Sequence, residues 1–298
     1  MSSESLRTHS SFVPVSGRTR VVGVFGHPVE HSLSPVMHNA AFAALHLAFI
    51  YVPFAVTPEN LGQALCALPA LGIAGVNLTI PHKQSALPFL AGVTPEARDV
   101  GAVNTIWCED GRLHGDNTDG RGFLRPLTER GTDVAGSRAF VLGAGGAARS
   151  VAFALARAGA RVTIANRTTA RAAALAEAVS IAGQADWLDL AEPLAVCRAI
   201  EDSALVVQTT RAGMWPETGD LPPLPLEALH GGQLVYDLVY NPVKTALLAE
   251  AEMRGCDTLG GVKMLVYQGA AAFERWTGVW PPVEVMEQAV IDGLTAPK

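Results

Sequence analysis

The chain has 298 residues, of which 49% are hydrophobic and 17% charged, a balance typical of a globular protein long enough for two domains. Its formal net charge of -6 and the absence of a Lys/Arg cluster argue against a nucleic-acid or anionic-membrane partner and favour small-molecule ligands. Its four cysteines are widely spaced and neither they nor the histidines have a metal-ligand spacing, so we expect no metal and the reduced thiols of a cytoplasmic protein.

The N-terminal segment is polar and has no apolar core of a signal peptide. We therefore expect residues 1–17 to be a disordered leader. The longest apolar run, from Ala40 to Val56, contains His46 and Pro53 and changes period midway. It predicts a helix end followed by a strand, and no membrane span.

Strand-like and helical patterns alternate between residues 20 and 118. The runs VVGVF, FIYVPFAV and GVNLTI predict strands, and they are separated by helices predicted around Pro35 to Leu47 and Pro58 to Leu71. Thr94 and Pro95 are typical of the N-cap and first position of a further helix, and AVNTIWC, EDG and RLHGD of a hairpin. The pattern predicts a parallel or mixed α/β sheet.

A second α/β unit begins with RAFVLGAGGAARSVAFALARAGARVTIANRT, where a buried strand runs into glycines, a helix and another strand. This is the βαβ order of a dinucleotide-binding fold. Further strands are predicted at residues 204–208 and 233–239. A helix is predicted from Gly261 to Gly278, and a last one after Pro282.

The glycine-rich turn of this unit predicts a cofactor site. Gly143, Gly145 and Ala148 match GxGxxA, with Gly146 and Ala147 between them, so the backbone can approach a pyrophosphate at a helix N-terminus. After the second strand, where an acidic residue would bind the ribose of NAD, the chain has Asn166, Arg167 and Thr168, with Arg171 one turn on. These cations and donors favour the 2′-phosphate of NADP, although the arginines could simply flank a helix start.

The stretch GVNLTIPHK raises the question of whether Lys83 takes part in chemistry. Its apolar and polar residues alternate up to Ile80, which predicts a strand with Ile80 on the core side, and Pro81 is favoured at the first position of a helix. Lys83 would then lie in the first helical turn, where the helix dipole favours the neutral amine. Only four of the 22 basic residues are lysine, and arginine cannot release a proton. Lys83 is therefore a candidate acid–base group, the alternative being a solvated loop lysine.

Other polar residues occur where strand ends or turns would present them: Ser34 in HSLSP, Asn104, Asp119 in GDNTDG, and Gln268. Each also has a plain structural interpretation. Ser34 could be an N-cap, Asn104 and Asp119 turn residues, and Gln268 part of a wet helix face. His82 is expected to be exposed or to line a cleft.

Eight motifs occur in an order and spacing that resemble the shikimate dehydrogenase family over residues 20–280. They are GHPVEHSLSPVMHNAAF, GVNLTIPHK, GAVNT, GDNTDG, GAGGAARS, NRTTAR, DLVYNPVKTALL and GVKMLVYQGAAAFERWTG. The resemblance implies an α/β protein in which an N-terminal substrate domain (18–119 plus 262–298) faces a Rossmann-type NADP-binding domain (120–261) across a cleft.

The resemblance also implies roles for single residues. Ser32 and Ser34, with Tyr240, would hold the substrate carboxylate. The ring hydroxyls would be bound by Thr79, Asn104, Asp119 and Gln268. Lys83 and Asp119 would be the catalytic pair, with Lys83 giving a proton to the oxygen of 3-dehydroshikimate as NADPH reduces it to shikimate in aromatic amino acid biosynthesis. Gly261 and Met264 would lie beside the nicotinamide.

The chain departs from the family pattern at Gln208, where Asn is usual, close to the expected nicotinamide ribose. A quinate or quinate/shikimate dehydrogenase is an alternative, but it would predict an acidic residue near position 167. A paralogue that acts on an aminated ring, or a non-catalytic dinucleotide-sensing regulator, are others, and the presence of both Lys83 and Asp119 argues against the regulator. We expect a monomer or homodimer.

Overall fold

The computed structural model describes residues 14–296, so most of the predicted leader lies outside the described residues. Between residues 14 and 296 the chain forms two six-stranded sheets, with helices packed against them and one helix leading from the first sheet to the second. None of the helices in this range is long and apolar enough to cross a membrane. The predicted α/β fold is confirmed.

The first sheet is mixed and has the strand order β2-β1-β3-β5-β6-β4. Its strands are β1 (Arg20–Gly26), β2 (Phe49–Ala55), β3 (Ile73–Leu78), β4 (Gly92–Val93), β5 (Thr105–Glu109) and β6 (Arg112–Asp116). β1 pairs in parallel with β2 and β3, whereas β5 pairs antiparallel with β3 and β6. The helices of this half are α1 (Ser34–Ala44), α2 (Leu61–Ala67) and α3 (Pro95–Val100).

Two of the local elements predicted in this half agree with the structure, and two differ from it. The hairpin of β5 and β6 is confirmed, and so is the cap of α3, where the Thr94 hydroxyl accepts a hydrogen bond from the Ala97 N–H at 3.3 Å. The helix predicted around Pro58 to Leu71 is shorter, because Pro58–Asn60 is a 3-10 turn and α2 ends at Ala67. Ser34 is the first residue of α1, and Leu33 occupies the N-cap position.

The helix predicted to begin at Pro81 is wrong. Residues 80–86 form successive turns, with the His82 N–H bonded to the Thr79 carbonyl, and only a 3-10 turn, Leu87–Phe89, follows. Ile80 lies beyond the strand and is 53% exposed. His82 is buried rather than exposed, because its Nε2 hydrogen-bonds the Val56 carbonyl at 2.7 Å and so ties the turn to the end of β2.

Helix α4 (Asp119–Glu129) leads from the first sheet to the second. The second sheet is fully parallel, with the order β12-β11-β10-β7-β8-β9. Its strands are β7 (Arg138–Leu142), β8 (Arg161–Asn166), β9 (Ala185–Asp189), β10 (Leu205–Gln208), β11 (Leu234–Asp237) and β12 (Asp257–Leu259). Its helices are α5 (Gly146–Arg157), α6 (Thr169–Val179), α7 (Pro193–Glu201) and α8 (Ala246–Met253). This is the strand order of a Rossmann sheet, and the predicted βαβ unit is confirmed.

The chain returns to the first half through α9 (Val262–Thr277) and α10 (Val283–Thr295). Helix α9 packs closely against α4. A Cβ added at Gly122 of α4 would lie only 2.6 Å from the backbone nitrogen of Gln268 in α9, so this contact leaves no room for a side chain. The other end of α9 contributes Phe273 and Trp276 to the core beneath β1 and β2. The α4–α9 contact therefore connects the helix that leads to the second sheet with a helix that packs on the first sheet.

His38 of α1 lies in the centre of that core with no exposed surface. Its ring stacks on Tyr51 at 4.4 Å between centroids, and neither ring nitrogen has a hydrogen-bond partner among the described residues. Burial lowers the pKa of His38 to about 3, so the ring is neutral in the folded protein.

This histidine should make the protein less stable in acid. In the unfolded chain this histidine binds a proton near the ordinary histidine pKa, whereas in the folded chain it stays neutral down to a much lower pH. The free energy of unfolding therefore falls as the pH drops below the ordinary value. Between about pH 7.5 and about pH 5 the loss from this one residue is about 2 kcal/mol. We expect His38→Phe to abolish that part of the loss. Urea unfolding at both pH values measures it, and any packing cost of the larger ring cancels in the difference. Equal acid sensitivity of the two proteins would contradict the assignment.

Candidate active site

A polar cavity of about 200 Å³ lies between the two halves of the molecule. All eight predicted substrate and catalytic residues line it, namely Ser32, Ser34, Thr79, Lys83, Asn104, Asp119, Tyr240 and Gln268. Gly261 and Met264, predicted to lie beside the nicotinamide, line it as well. Residues up to 244 positions apart in the chain, Val24 and Gln268, thus share one cavity.

The elements of the first half present these side chains from separate directions. Ser34 begins α1, Thr79 directly follows β3, and Asn104 directly precedes β5. Tyr240 comes from the second half, in the segment after β11, where burial raises the pKa of its hydroxyl and keeps it protonated. Neutral hydrogen-bond donors and acceptors from both halves therefore line the cavity together with the charged residues.

Lys83 and Asp119 form an ion pair at the wall of this cavity. The Lys83 Nζ lies 2.6 Å from the Asp119 Oδ2, with the lysine side chain 22% and the aspartate side chain 6% exposed. Asp119 is the first residue of α4, so the helix dipole stabilises its negative charge. The helix dipole that the sequence analysis assigned to Lys83 thus acts on its partner.

Asn104 holds the second oxygen of that carboxylate. Its Nδ2 donates to the Asp119 Oδ1 at 2.8 Å, and it also lies 2.9 Å from the Thr118 Oγ1 and 3.2 Å from the Gln268 Oε1. Its Oδ1 accepts the Thr118 backbone N–H at 2.8 Å, and a backbone N–H is always a donor. The Asn104 amide is therefore oriented with its NH₂ group towards Asp119.

A second cavity, about 590 Å³ in volume, adjoins the first along the ends of β7 and β8. Gly143, Gly145, Gly146, Ala147, Asn166 and Arg167 line it from the second half, and Thr79 and Lys83 from the first. Arg171 lines a neighbouring recess with Gly145 and Gly146. The glycines open the N-terminus of α5, and a Cβ on Gly145 would meet nothing within 4 Å, so a pyrophosphate fits against this backbone.

Two predicted cofactor residues lie elsewhere. Ala148 is completely buried in the core beneath α5, where its small side chain lets the helix pack against the sheet. Thr168 is exposed at the N-cap position of α6, and its carbonyl accepts a hydrogen bond from the Asn166 Nδ2 at 3.1 Å. Thr168 thus positions Asn166 from outside the cavity.

Sequence reasoning missed the loop after β10. Thr209, Thr210, Arg211 and Ala212 all line the second cavity. A signal was available, because β10 pairs with β7 and the carboxyl ends of adjacent parallel strands meet at one edge of the sheet. Gln208, the departure from the family pattern, is fully buried and its Nε2 donates to the carbonyls of Thr210 and Ala212 at 3.2 Å. The buried Gln208 amide therefore holds the backbone of this loop in place through hydrogen bonds.

Family models match three stretches of the chain. Residues 24–106 match the shikimate dehydrogenase substrate binding domain, residues 127–212 the shikimate / quinate 5-dehydrogenase model, and residues 261–291 the shikimate 5'-dehydrogenase C-terminal domain. The first and third stretches lie in the half that supplies most of the residues lining the polar cavity, and the second stretch includes the glycine-rich turn. Within residues 14–296, no group of three or more His, Cys, Asp or Glu side chains is placed to hold a metal ion.

Individual proteins resemble the chain over nearly its whole length. The shikimate dehydrogenase (NADP(+)) of Moorella thermoacetica is 50% identical over 286 residues, 95% of this chain and 97% of that protein. A crystal structure of a shikimate dehydrogenase in complex with NADP+ superposes with a TM-score of 0.91 at 42% identity, covering 96% of this chain and 99% of that one. The Thermus thermophilus enzyme in complex with NADP(H) and shikimate gives 0.84 at 40% identity, covering 93% and 100%.

The Rossmann sheet, its open glycine turn and the adjoining polar cavity define a dinucleotide-dependent oxidoreductase with a separate substrate-binding half. The chain belongs to the shikimate dehydrogenase family.

The two motif glycines should respond differently to an added methyl group. Gly143 has φ +114°, and a Cβ there would lie 2.4 Å from the Thr209 Oγ1, whereas a Cβ on Gly145 has free space. We expect Gly143→Ala to destabilise the ligand-free protein by about 1–3 kcal/mol through backbone strain. Gly145→Ala should stay within about 0.5 kcal/mol of the parent while it weakens NADP binding. Urea unfolding without ligand and a binding titration separate the two effects. Equal destabilisation by both substitutions would count against this account of the turn.

Proposed function

We propose that this protein is an NADP-dependent shikimate dehydrogenase in which Lys83 and Asp119 are the acid–base pair. It would reversibly reduce 3-dehydroshikimate to shikimate, a step of aromatic amino acid biosynthesis. The observation that carries the proposal is the position of Lys83. It lines both the polar cavity and the second cavity beside the glycine turn, which is the dinucleotide cavity, and its amine pairs with Asp119 at 2.6 Å. A proton donor at that boundary lies close to the place where the carbonyl group of a substrate in the polar cavity would meet the nicotinamide and be reduced.

The glycine turn would hold NADPH, which would supply the hydride for the ketone carbon. Lys83 gives its proton to the ketone oxygen as negative charge develops there, and in the reverse direction the neutral amine accepts the hydroxyl proton. Asp119 keeps the amine oriented, because one carboxylate oxygen holds Lys83 and the other is held by Asn104. The helix end beneath Asp119 stabilises the carboxylate while the amine changes its charge.

The remaining cavity residues would bind the substrate. We assign Ser32, Ser34 and Tyr240 to its carboxylate, because three neutral hydroxyls recognise an anion without a fixed counter-charge. We assign Thr79 and Gln268 to the ring hydroxyls, together with Asn104 and Asp119.

The preference for NADP would come from the residues after β8. Arg167 lines the dinucleotide cavity and Arg171 the recess beside it, with Asn166 at the end of the strand. Guanidinium groups suit a 2′-phosphate, and the carboxylate that would bind the free ribose hydroxyls of NAD is absent from the positions 166–168. Gly261 and Met264 would lie against the nicotinamide, at the edge of the substrate cavity.

Quinate and aminated analogues of shikimate are the alternative substrates. They would present a carboxylate and ring hydroxyls to the same residues, so the cavity by itself favours shikimate only weakly. A cytoplasmic location and a monomeric or homodimeric state stay predictions from the sequence.

A steady-state comparison of shikimate and quinate, each with NADP and NAD, tests the proposed function. We expect shikimate with NADP to give the highest kcat/KM by at least about tenfold, because the arginines favour the phosphorylated dinucleotide. The measurement is the absorbance of the reduced nicotinamide. Equal or higher efficiency with quinate and NAD would replace the substrate and cofactor assignments.

Removal of the Lys83 amine tests the mechanism. We expect Lys83→Ala to lower kcat by about 10²–10⁴-fold, the usual contribution of a positioned acid–base group, with shikimate affinity within about threefold of the parent. Equilibrium shikimate binding is measured beside turnover. Lys244→Ala is the control, since Lys244 pairs with Glu252 on the surface, outside both cavities. A Lys83→Ala protein that kept its rate would exclude the assigned role.

A further inference from the structure

A chain of buried polar groups adjoins the polar cavity, which one member, Asn77, helps to line, and the mechanism above does not use it. Its members are Tyr51 of β2, Asn77 of β3 and Thr105 of β5, which are 1%, 6% and 0% exposed. Buried polar side chains are retained at a free-energy cost unless each one is hydrogen-bonded. Apart from a hydrogen bond between Tyr51 and Ser34, the hydrogen bonds of these three run in one direction, towards the ion pair.

The first bond of the chain has a fixed direction. The Asn77 Nδ2 lies 3.0 Å from the Asn104 backbone carbonyl, which can only accept, so the amide nitrogen must be on that side. The Asn77 Oδ1 consequently faces Tyr51, whose hydroxyl donates to it at 2.8 Å. Burial raises the pKa of Tyr51 above its ordinary value, so the hydroxyl keeps the proton that this bond requires.

The direction is passed on through Thr105. The Asn77 Nδ2 also donates to the Thr105 Oγ1 at 3.1 Å, and the Thr105 hydroxyl then directs its own proton to the Asn104 Oδ1 at 3.1 Å. Asn104 thus receives a hydrogen bond on its carbonyl oxygen from Thr105 as well as from the Thr118 N–H. Both donors turn its NH₂ group towards Asp119.

We propose that Tyr51, Asn77 and Thr105 are positioning residues for catalysis, which fix the Asn104 amide so that it donates to Asp119 and thereby hold the Lys83–Asp119 pair in its reactive arrangement. This inference rests on the proposed acid–base role of that pair. Tyr51 and Thr105 are not among the residues that line the polar cavity, so their effect reaches the pair through Asn77 and Asn104.

The chain should affect the pH dependence of the reaction as well as its rate. A hydrogen bond to a carboxylate favours the ionised form, so a weaker Asn104 donor makes protonation of the pair easier. The ionisable side chains that line the cavity are Lys83, Asp119 and Tyr240, and α5 and α9 contribute Ala147, Met264, Leu265 and Gln268 to it, which carry no charge. Loss of the chain is therefore expected to move the acidic limb of the kcat/KM profile to higher pH.

Two conservative substitutions test the proposal, each with a matched control. Tyr51→Phe and Thr105→Val remove one hydroxyl each and keep the side-chain shape. Tyr236→Phe removes a buried hydroxyl that has no hydrogen-bond partner among the described residues, and Thr163→Val removes a half-buried hydroxyl from β8 of the other sheet. All four proteins are compared with the parent for shikimate oxidation by NADP across the pH range, after urea unfolding has shown that they are folded.

We expect Tyr51→Phe and Thr105→Val to lower kcat about 3- to 10-fold, the effect of one weakened hydrogen bond, with KM for shikimate changed less than about twofold. Their acidic limbs should move to higher pH, and the double variant should lose no more activity than the worse single variant, because both act through one chain. The control variants should match the parent in rate and profile.

Two results would overturn the proposal: kcat and pH profile equal to the parent in Thr105→Val, or additive losses in the double variant. A purely structural role would lower the stability of the variants and leave their pH profiles unchanged. Failure of the proposed function itself would appear differently, as a parent protein without shikimate activity or a Lys83→Ala variant that kept its rate.

Discussion

The ion pair of Lys83 and Asp119 is the contact on which the arrangement of the site depends. Lys83 stands in turns that follow a strand of the first sheet, and Asp119 opens the helix that leads to the second. The aspartate side chain is only 6% exposed, and a carboxylate so deeply buried is stable only when it is paired and hydrogen-bonded. The pair therefore ties the turns after β3 to the first residue of α4. That boundary is also where the two cavities meet.

The sequence predicted the residues of this contact but misassigned its electrostatics. Pro81 favours a helix start, whereas the structure has turns there, in which the His82 N–H bonds the Thr79 carbonyl and the His82 ring bonds the Val56 carbonyl. The true helix start is Asp119. The spacing of four between Phe123 and Leu127 is typical of a buried helix face, but Pro126 and the glycines at 120 and 122 are unfavourable inside a helix.

Regular elements were predictable where one periodicity dominated over several residues. The βαβ unit and the hairpin are confirmed because their strands are short apolar or alternating runs bounded by turn residues. The loop of residues 209–212 has no such period, and its place on the cavity depends on the pairing of β10 with β7, a non-local fact. Ala148 shows the limit of motif matching: the third position of GxGxxA faces the core and contributes to packing, while residues 143–147 line the cavity.

The hydrogen bonds of Asn104 indicate which part of the site must give way to a substrate. Its NH₂ group has two protons for three acceptors, on Thr118, Asp119 and Gln268. Thr118 and Asp119 are held by the backbone at the start of α4, whereas Gln268 makes the longest of the three contacts, at 3.2 Å, through a longer side chain whose Nε2 donates to the Leu265 carbonyl at 2.8 Å. A ring hydroxyl that competes for Asn104 should therefore displace Gln268. The freed Gln268 Oε1 would then be an acceptor for the same or a neighbouring hydroxyl.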